Sequence, residues 1–195
     1  MLLFPYFLEK ENMEEQQLEK ATLAGGCFWC TEAVFQRVEG VKQVTSGFTG
    51  GNIKNPPYRE VVGGRTGHAE SIEIKFDPKI VTFEELLYMF FATHDPTTLN
   101  RQQNDVGTHY RSAIFYHSDA QKETAEEVIR KLQEDKTFKD PIVTEVSPAG
   151  EFYIAEQEHH DYYNQNRNQP YCRVIIDPKV QKLKNSFSKK VKNEL

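Results

Sequence analysis

Ala21-Thr22-Leu23-Ala24-Gly25-Gly26-Cys27-Phe28-Trp29-Cys30 is the stretch whose reading decides the fold. Its first four residues form a short, mainly apolar segment that reads as a buried strand, and the glycine pair ends it. Beyond the pair, Cys30, Ala33, Val34 and Val38 recur at helical spacing. The pair is therefore a strand-to-helix turn, and Cys27 stands at a helix N-terminus. Free backbone N–H groups and the helix dipole favour an anion there, so the thiol pKa of Cys27 is expected to be lowered. The thiolate is the nucleophilic form of cysteine. Phe28 and Trp29 follow at once, two aromatics suited to keeping water away and holding a small apolar group. The combination points to redox or nucleophilic sulfur chemistry.

Working outward, strand signals fall at about 41–48, 69–76, 112–116 and 142–146. The 69–76 segment alternates, with Ile72, Ile74 and Phe76 on one face and Ser71, Glu73 and Lys75 on the other. Between Thr82 and His94, Phe83, Leu86, Leu87, Phe90 and Phe91 make one apolar helical stripe, with Thr82 as N-cap. A third helix is expected over about 119–133. Pro78 and Pro141 fall at boundaries. The first six elements thus read β-α-β-β-α-β, the split βαβ or ferredoxin-like arrangement. This is an α+β, two-layer sandwich with long loops and an irregular C-terminal segment. The stretch 95–109 has little periodicity and reads as a functional loop. A polar helix is expected over 151–163. An amphipathic helix docked on the body is expected over 179–192, where Val180, Leu183, Phe187 and Val191 share a face.

Composition sets the frame. At 195 residues one ordinary domain is expected, with 1–18 as an N-terminal extension and 19–195 as a single domain. A net charge of −5, with no basic cluster in the body of the chain, argues against nucleic acid. Met1–Leu8 is apolar, but it has no leading positive region and no small-residue cleavage site, so it reads as neither signal peptide nor membrane span. Three cysteines are an odd count that makes no disulfide framework. Catalytic or redox use in a reducing, cytoplasmic setting is expected, in a monomer.

The Gly26-Cys27-Phe28-Trp29 run is joined by Asn55-Pro56-Pro57-Tyr58, Thr66-Gly67-His68-Ala69-Glu70, the block 104–112 from Asn104 to Ser112, and Glu158-His159-His160-Asp161-Tyr162. In content and order these blocks resemble the A-type peptide methionine sulfoxide reductases, over about 21–179. The resemblance implies the following roles. Cys27 attacks the sulfur of methionine-S-sulfoxide, methionine leaves, and a cysteine sulfenic acid remains. Glu70 is the acid. Its strand parity with Ile72 turns it toward the apolar face, where burial raises a carboxyl pKa. Tyr58 and Tyr110 donate hydrogen bonds to the sulfoxide oxygen. Phe28 and Trp29 line a pocket for the methyl group, and Asp105 binds the amide or amino group beside the sulfoxide. No metal or cofactor is implied; thioredoxin or dithiothreitol serves as the external reductant.

Two thiols compete to resolve the sulfenic acid. Cys30 completes a C-x-x-C with Cys27, where the common family motif has glycine. Cys172 lies in the C-terminal segment, whose polar, irregular character would let it swing over the site. Cys172 is preferred and Cys30 is the alternative. Two other functions fit the cysteines. A thiol-disulfide oxidoreductase would use the C-x-x-C, but the element order is not thioredoxin's. A zinc module would use Cys27, Cys30, His159 and His160, but the two histidines are adjacent rather than three to five apart.

Overall fold

The computed structural model describes residues 18–193. The expected extension at 1–18 lies outside them, except for Leu18. Strand β1 (Glu19–Gly25) passes through the glycine turn into α1 (Phe28–Phe35) and returns as β2 (Val41–Thr49). A short helix α2 (Tyr58–Val62) precedes β3 (Ala69–Phe76) and α3 (Phe83–Thr93). A small hairpin, β4 (Arg101–Gln102) with β5 (Asp105–Val106), interrupts the long loop before β6 (Ser112–Tyr116), α4 (Asp119–Glu134) and β7 (Glu145–Pro148). Then come β8 (Tyr153–Ile154), α5 (Tyr162–Gln165), a π-helical turn Cys172–Ile176 and α6 (Asp177–Ser186).

The main sheet runs β7-β6-β1-β3-β2-β8. Strand β3 lies antiparallel between β1 and β2, and β1 lies antiparallel between β3 and β6. Each helical crossover therefore spans an intervening strand, giving two interlocked split βαβ units. The parallel β6–β7 pair makes the sheet mixed. Leu23 opposite Ile72 and Ala21 opposite Ile74 turn apolar side chains toward the helices. On the other face Ala24, Ala69, Ala113 and Phe115 form a small separate cluster.

Helix α1 is buried almost all round, packed between the sheet and α6. Helix α3 begins as its sequence predicts. Thr82 Oγ1 accepts the Glu85 N–H at 3.2 Å, and Glu85 returns a carboxylate oxygen to the Thr82 N–H at 2.9 Å. Its inner face carries Leu86, Leu87, Met89, Phe90 and Phe91, all buried.

Three expectations need correction. The polar helix over 151–163 does not form. The open edge of β2 captures Tyr153 and Ile154 as β8, and Asp161, at φ 54°, breaks the helical path before α5. The strand expected over 142–146 lies at Glu145–Pro148. The C-terminal helix starts earlier than expected and ends at Ser186, because Val180 and Leu183 are the residues that reach the core. Among the described residues no helix is long and apolar enough to cross a membrane.

Candidate active site

The glycine turn places Cys27 as predicted, at the N-cap of α1. Gly26 sits at φ +90°, and a Cβ there would come within 2.6 Å of the Gln102 side chain, so only glycine lets the loop 95–109 close over this turn. Cys27 is 7 % exposed. Its thiol meets that of Cys30 one helical turn on and lies close to the Tyr171 hydroxyl.

The expected lowering of the Cys27 pKa is corrected. Burial pushes this thiol well above its usual value, and the Cys30 contact and the Glu70 charge push the same way. The helix N-terminus does not offset the loss of hydration. Cys30 is shifted down by its contact with Cys27, with the Lys179 charge helping against its own burial.

Glu70 lies on the helix-facing side of β3, as its parity predicts, and is 1 % exposed. One carboxyl oxygen accepts the Phe28 N–H at 3.1 Å, the amide next to Cys27. The other, Oε1, is buried without a protein partner. Burial raises this carboxyl to about 8; the Phe28 N–H opposes the rise, and Asp105 and Cys30 add to it. At neutral pH it is a neutral acid with a proton to give, beside the Cys27 backbone.

Tyr58 and Tyr110 come to the same place from α2 and from the turn before β6. Burial first, then the nearby Glu70 and Cys27, raises the Tyr58 phenol to about 12 and shifts Tyr110 upward as well. Both therefore stay protonated donors. Asp105 also reaches the site, but through a residue that the sequence did not mark. The Tyr171 hydroxyl donates to Asp105 Oδ2 at 2.9 Å and lies 3.8 Å from Cys30 Sγ. Tyr171 belongs to the Gln169-Pro170-Tyr171-Cys172 stretch, yet its partners are 66 and 141 residues away, a separation that no local pattern reveals.

The two motif aromatics are placed differently. Phe28 is buried against Phe48, Tyr58 and His159. Trp29 is half-buried. It stacks on Tyr162 at 3.7 Å between ring centroids, with Tyr171 edge-on at 5.9 Å. His159 packs against Phe28, Trp29 and Tyr58, and His160 bonds to the Ala155 carbonyl at 2.9 Å. Among the described residues no group of three or more His, Cys, Asp or Glu is placed to hold a metal ion.

All three cysteines are free thiols. Cys172 is fully buried in the π-helical turn that runs straight into α6. The segment after Tyr171 is thus helical and anchored, which corrects the expectation of an irregular strand of chain free to swing. Burial raises the Cys172 thiol, with the Asp177 and Cys30 charges adding to it.

A buried dithiol beside a neutral carboxylic acid and two phenol donors, with a cluster of aromatic rings next to it, is the equipment of a thiol-based oxidoreductase. Comparison with known proteins specifies which. The model of the family described as peptide methionine sulfoxide reductase matches residues 19–191. The chain is 56 % identical over 174 residues to peptide methionine sulfoxide reductase MsrA 1 of Rhodopirellula baltica, covering 89 % of this chain and 90 % of that one. Among solved structures, reduced Mxr1 from Saccharomyces cerevisiae superposes with a TM-score of 0.74 at 33 % identity, covering 80 % of this chain and 90 % of that one. Mxr1 in complex with Trx2 also matches, with a TM-score of 0.53 at 26 % identity, over 75 % of this chain and 86 % of that one. The chain belongs to the peptide methionine sulfoxide reductase family and is an oxidoreductase.

Proposed function

We propose that this protein reduces methionine-S-sulfoxide, free and peptide-bound, to methionine. The observation that carries the reading is the Glu70 carboxyl: one oxygen holds the amide beside Cys27, and the other is buried and unpartnered where a sulfoxide oxygen would sit. The Cys27 sulfur attacks the substrate sulfur as Glu70 protonates the sulfoxide oxygen, with Tyr58 and Tyr110 donating to it. The oxygen passes to Cys27 as a sulfenic hydroxyl and methionine departs. Glu70 regains the proton given up by the thiol. Trp29 and Phe28 hold the methyl group, and Asp105 binds the neighbouring amide or amino group once Tyr171 releases it. The whole of 19–195 acts as one domain and a monomer, in a reducing compartment such as the cytoplasm.

A second thiol then condenses with the sulfenic acid, forming a disulfide and releasing water. A dithiol donor such as thioredoxin reduces that disulfide and is itself oxidised. Direct contact with Cys27 favours Cys30 as the first partner, in place of the expected Cys172, which lies near Cys30 in the anchored π-helical turn and is the second. Peptide mapping after one equivalent of substrate is expected to find Cys27–Cys30 in the intact protein. Cys30→Ser should then stall as the sulfenic acid on Cys27, with first-turnover methionine release unchanged. If Cys30→Ser instead forms Cys27–Cys172 at the wild-type rate, the order is reversed.

The reading itself is tested with separated epimers. With dithiothreitol, the S epimer should be consumed and the R epimer left at background. Equal use of both, or no use of either, would refute the assignment.

A further inference from the structure

We infer that Glu32 is a positioning residue that holds the Trp29 wall of the pocket in place by capturing the backbone at Asp161. The inference rests on the reading of that wall as the seat of the substrate's methyl group. Glu32 lies on α1, one turn beyond Trp29, and is 2 % exposed. Its Oε2 accepts the Asp161 N–H at 2.9 Å.

Asp161 is a non-glycine residue at φ 54° and ψ 28°, a left-handed conformation that persists only where the surroundings hold it. The rest of the grip comes from the same face of the chain. Asp161 Oδ1 accepts from Asn164 at 2.6 Å and from Gln36 at 3.3 Å, and Arg37 donates to Asn164 Oδ1 at 2.6 Å. The next residue after this corner, Tyr162, is the one stacked on Trp29, with ring planes 8° apart. Two residues before it, His159 packs on Trp29 and Phe28. The corner thus sets two of the rings that define the pocket wall. Glu32 anchors it without facing the reacting atoms.

Burial raises the Glu32 carboxyl to about 7, against the Asp161 N–H and the neighbouring His160, which favour its charge; the Asp161 carboxylate disfavours it. The titratable groups facing Glu32 are His160 and Asp161 from the corner, while β2 offers the Ser46 hydroxyl. A charged acceptor bonds about twice as strongly as a neutral one, so the grip weakens as pH falls through that value.

Trp29 is the single tryptophan of the chain, so its emission reports on this wall directly. In the reduced, substrate-free protein, emission should shift with a midpoint near pH 7. Glu32→Gln keeps an acceptor oxygen but not the charge, and should abolish that step; Glu70→Gln should retain it. In the assay, Glu32→Ala should raise KM for the sulfoxide by about tenfold, with the single-turnover rate at saturation kept within about threefold of wild type. Glu32→Gln should fall between Glu32→Ala and wild type. A pH step that persists in Glu32→Gln overturns the inference, as does an unchanged KM in both variants. If Glu32→Ala does not fold, the Glu32→Gln titration decides alone. The titration uses no substrate, so it stands apart from any failure of the sulfoxide reductase reading, which the epimer assay exposes in the wild type.

Discussion

Cys27→Ser is expected to bring methionine sulfoxide reduction to background while leaving the fold intact. Serine is nearly isosteric, and the position is an N-cap, where serine is among the preferred residues, so the start of α1 should not suffer. The chemistry should fail because an alcohol is far less nucleophilic at neutral pH, and Cys30, one helical turn on, does not occupy the N-cap position beside the Phe28 amide that Glu70 holds. Circular dichroism should match wild type, and no sulfenic acid should form. Turnover above background in the folded variant would remove Cys27 from the nucleophile's role.

Glu70→Gln is expected to slow sulfenic acid formation by about 10² to 10⁴, the usual range for general acid catalysis. Glutamine can still accept the Phe28 N–H, so the loss isolates the proton. The pH dependence carries a second signature. In wild type the chemical step should fall as pH rises through about 8, where the acid form is lost, and Glu70→Gln should show no such limb. The same group links pH to stability. Its folded pKa is raised, so its contribution is full below the ordinary value of 4.5 and is lost as pH rises to about 8. The variant should therefore be less sensitive to pH over that window in thermal melts. A stopped-flow rate within a few-fold of wild type would exclude Glu70 as the acid.

Much of this was legible in the sequence, for physical reasons specific to each residue. Strand alternation gave the inward parity of Glu70, because a period of two leaves no freedom about which face Ile72 shares. Thr82 announced the start of α3 as its N-cap, because a cap contact is made entirely within one turn. The glycine pair announced the position of Cys27. What stayed hidden depends on distant parts of the chain. The thiol pKa of Cys27 is set by burial beneath tertiary neighbours such as the 95–109 loop, which outweighs the local dipole. The failure of the expected helix over 151–163 follows from the unpaired edge of β2, a tertiary opportunity that overrides a polar, helix-compatible composition. Tyr171 escaped notice because its meaning lies in Asp105 and Cys30 together.

An enzyme that reduces methionine sulfoxide carries thioethers of its own that can be oxidised. Met89 is the sole methionine among the described residues, and none of its surface is exposed. It lies on the inner face of α3, where a peroxide can reach its sulfur only after the core has opened. While folded, the protein therefore offers no sulfoxide of its own from this residue to compete with damaged clients. A sulfoxide found at Met89 would be a record of earlier unfolding. The polar S–O group it adds could not return to that apolar seat without cost, so such a molecule would refold less readily.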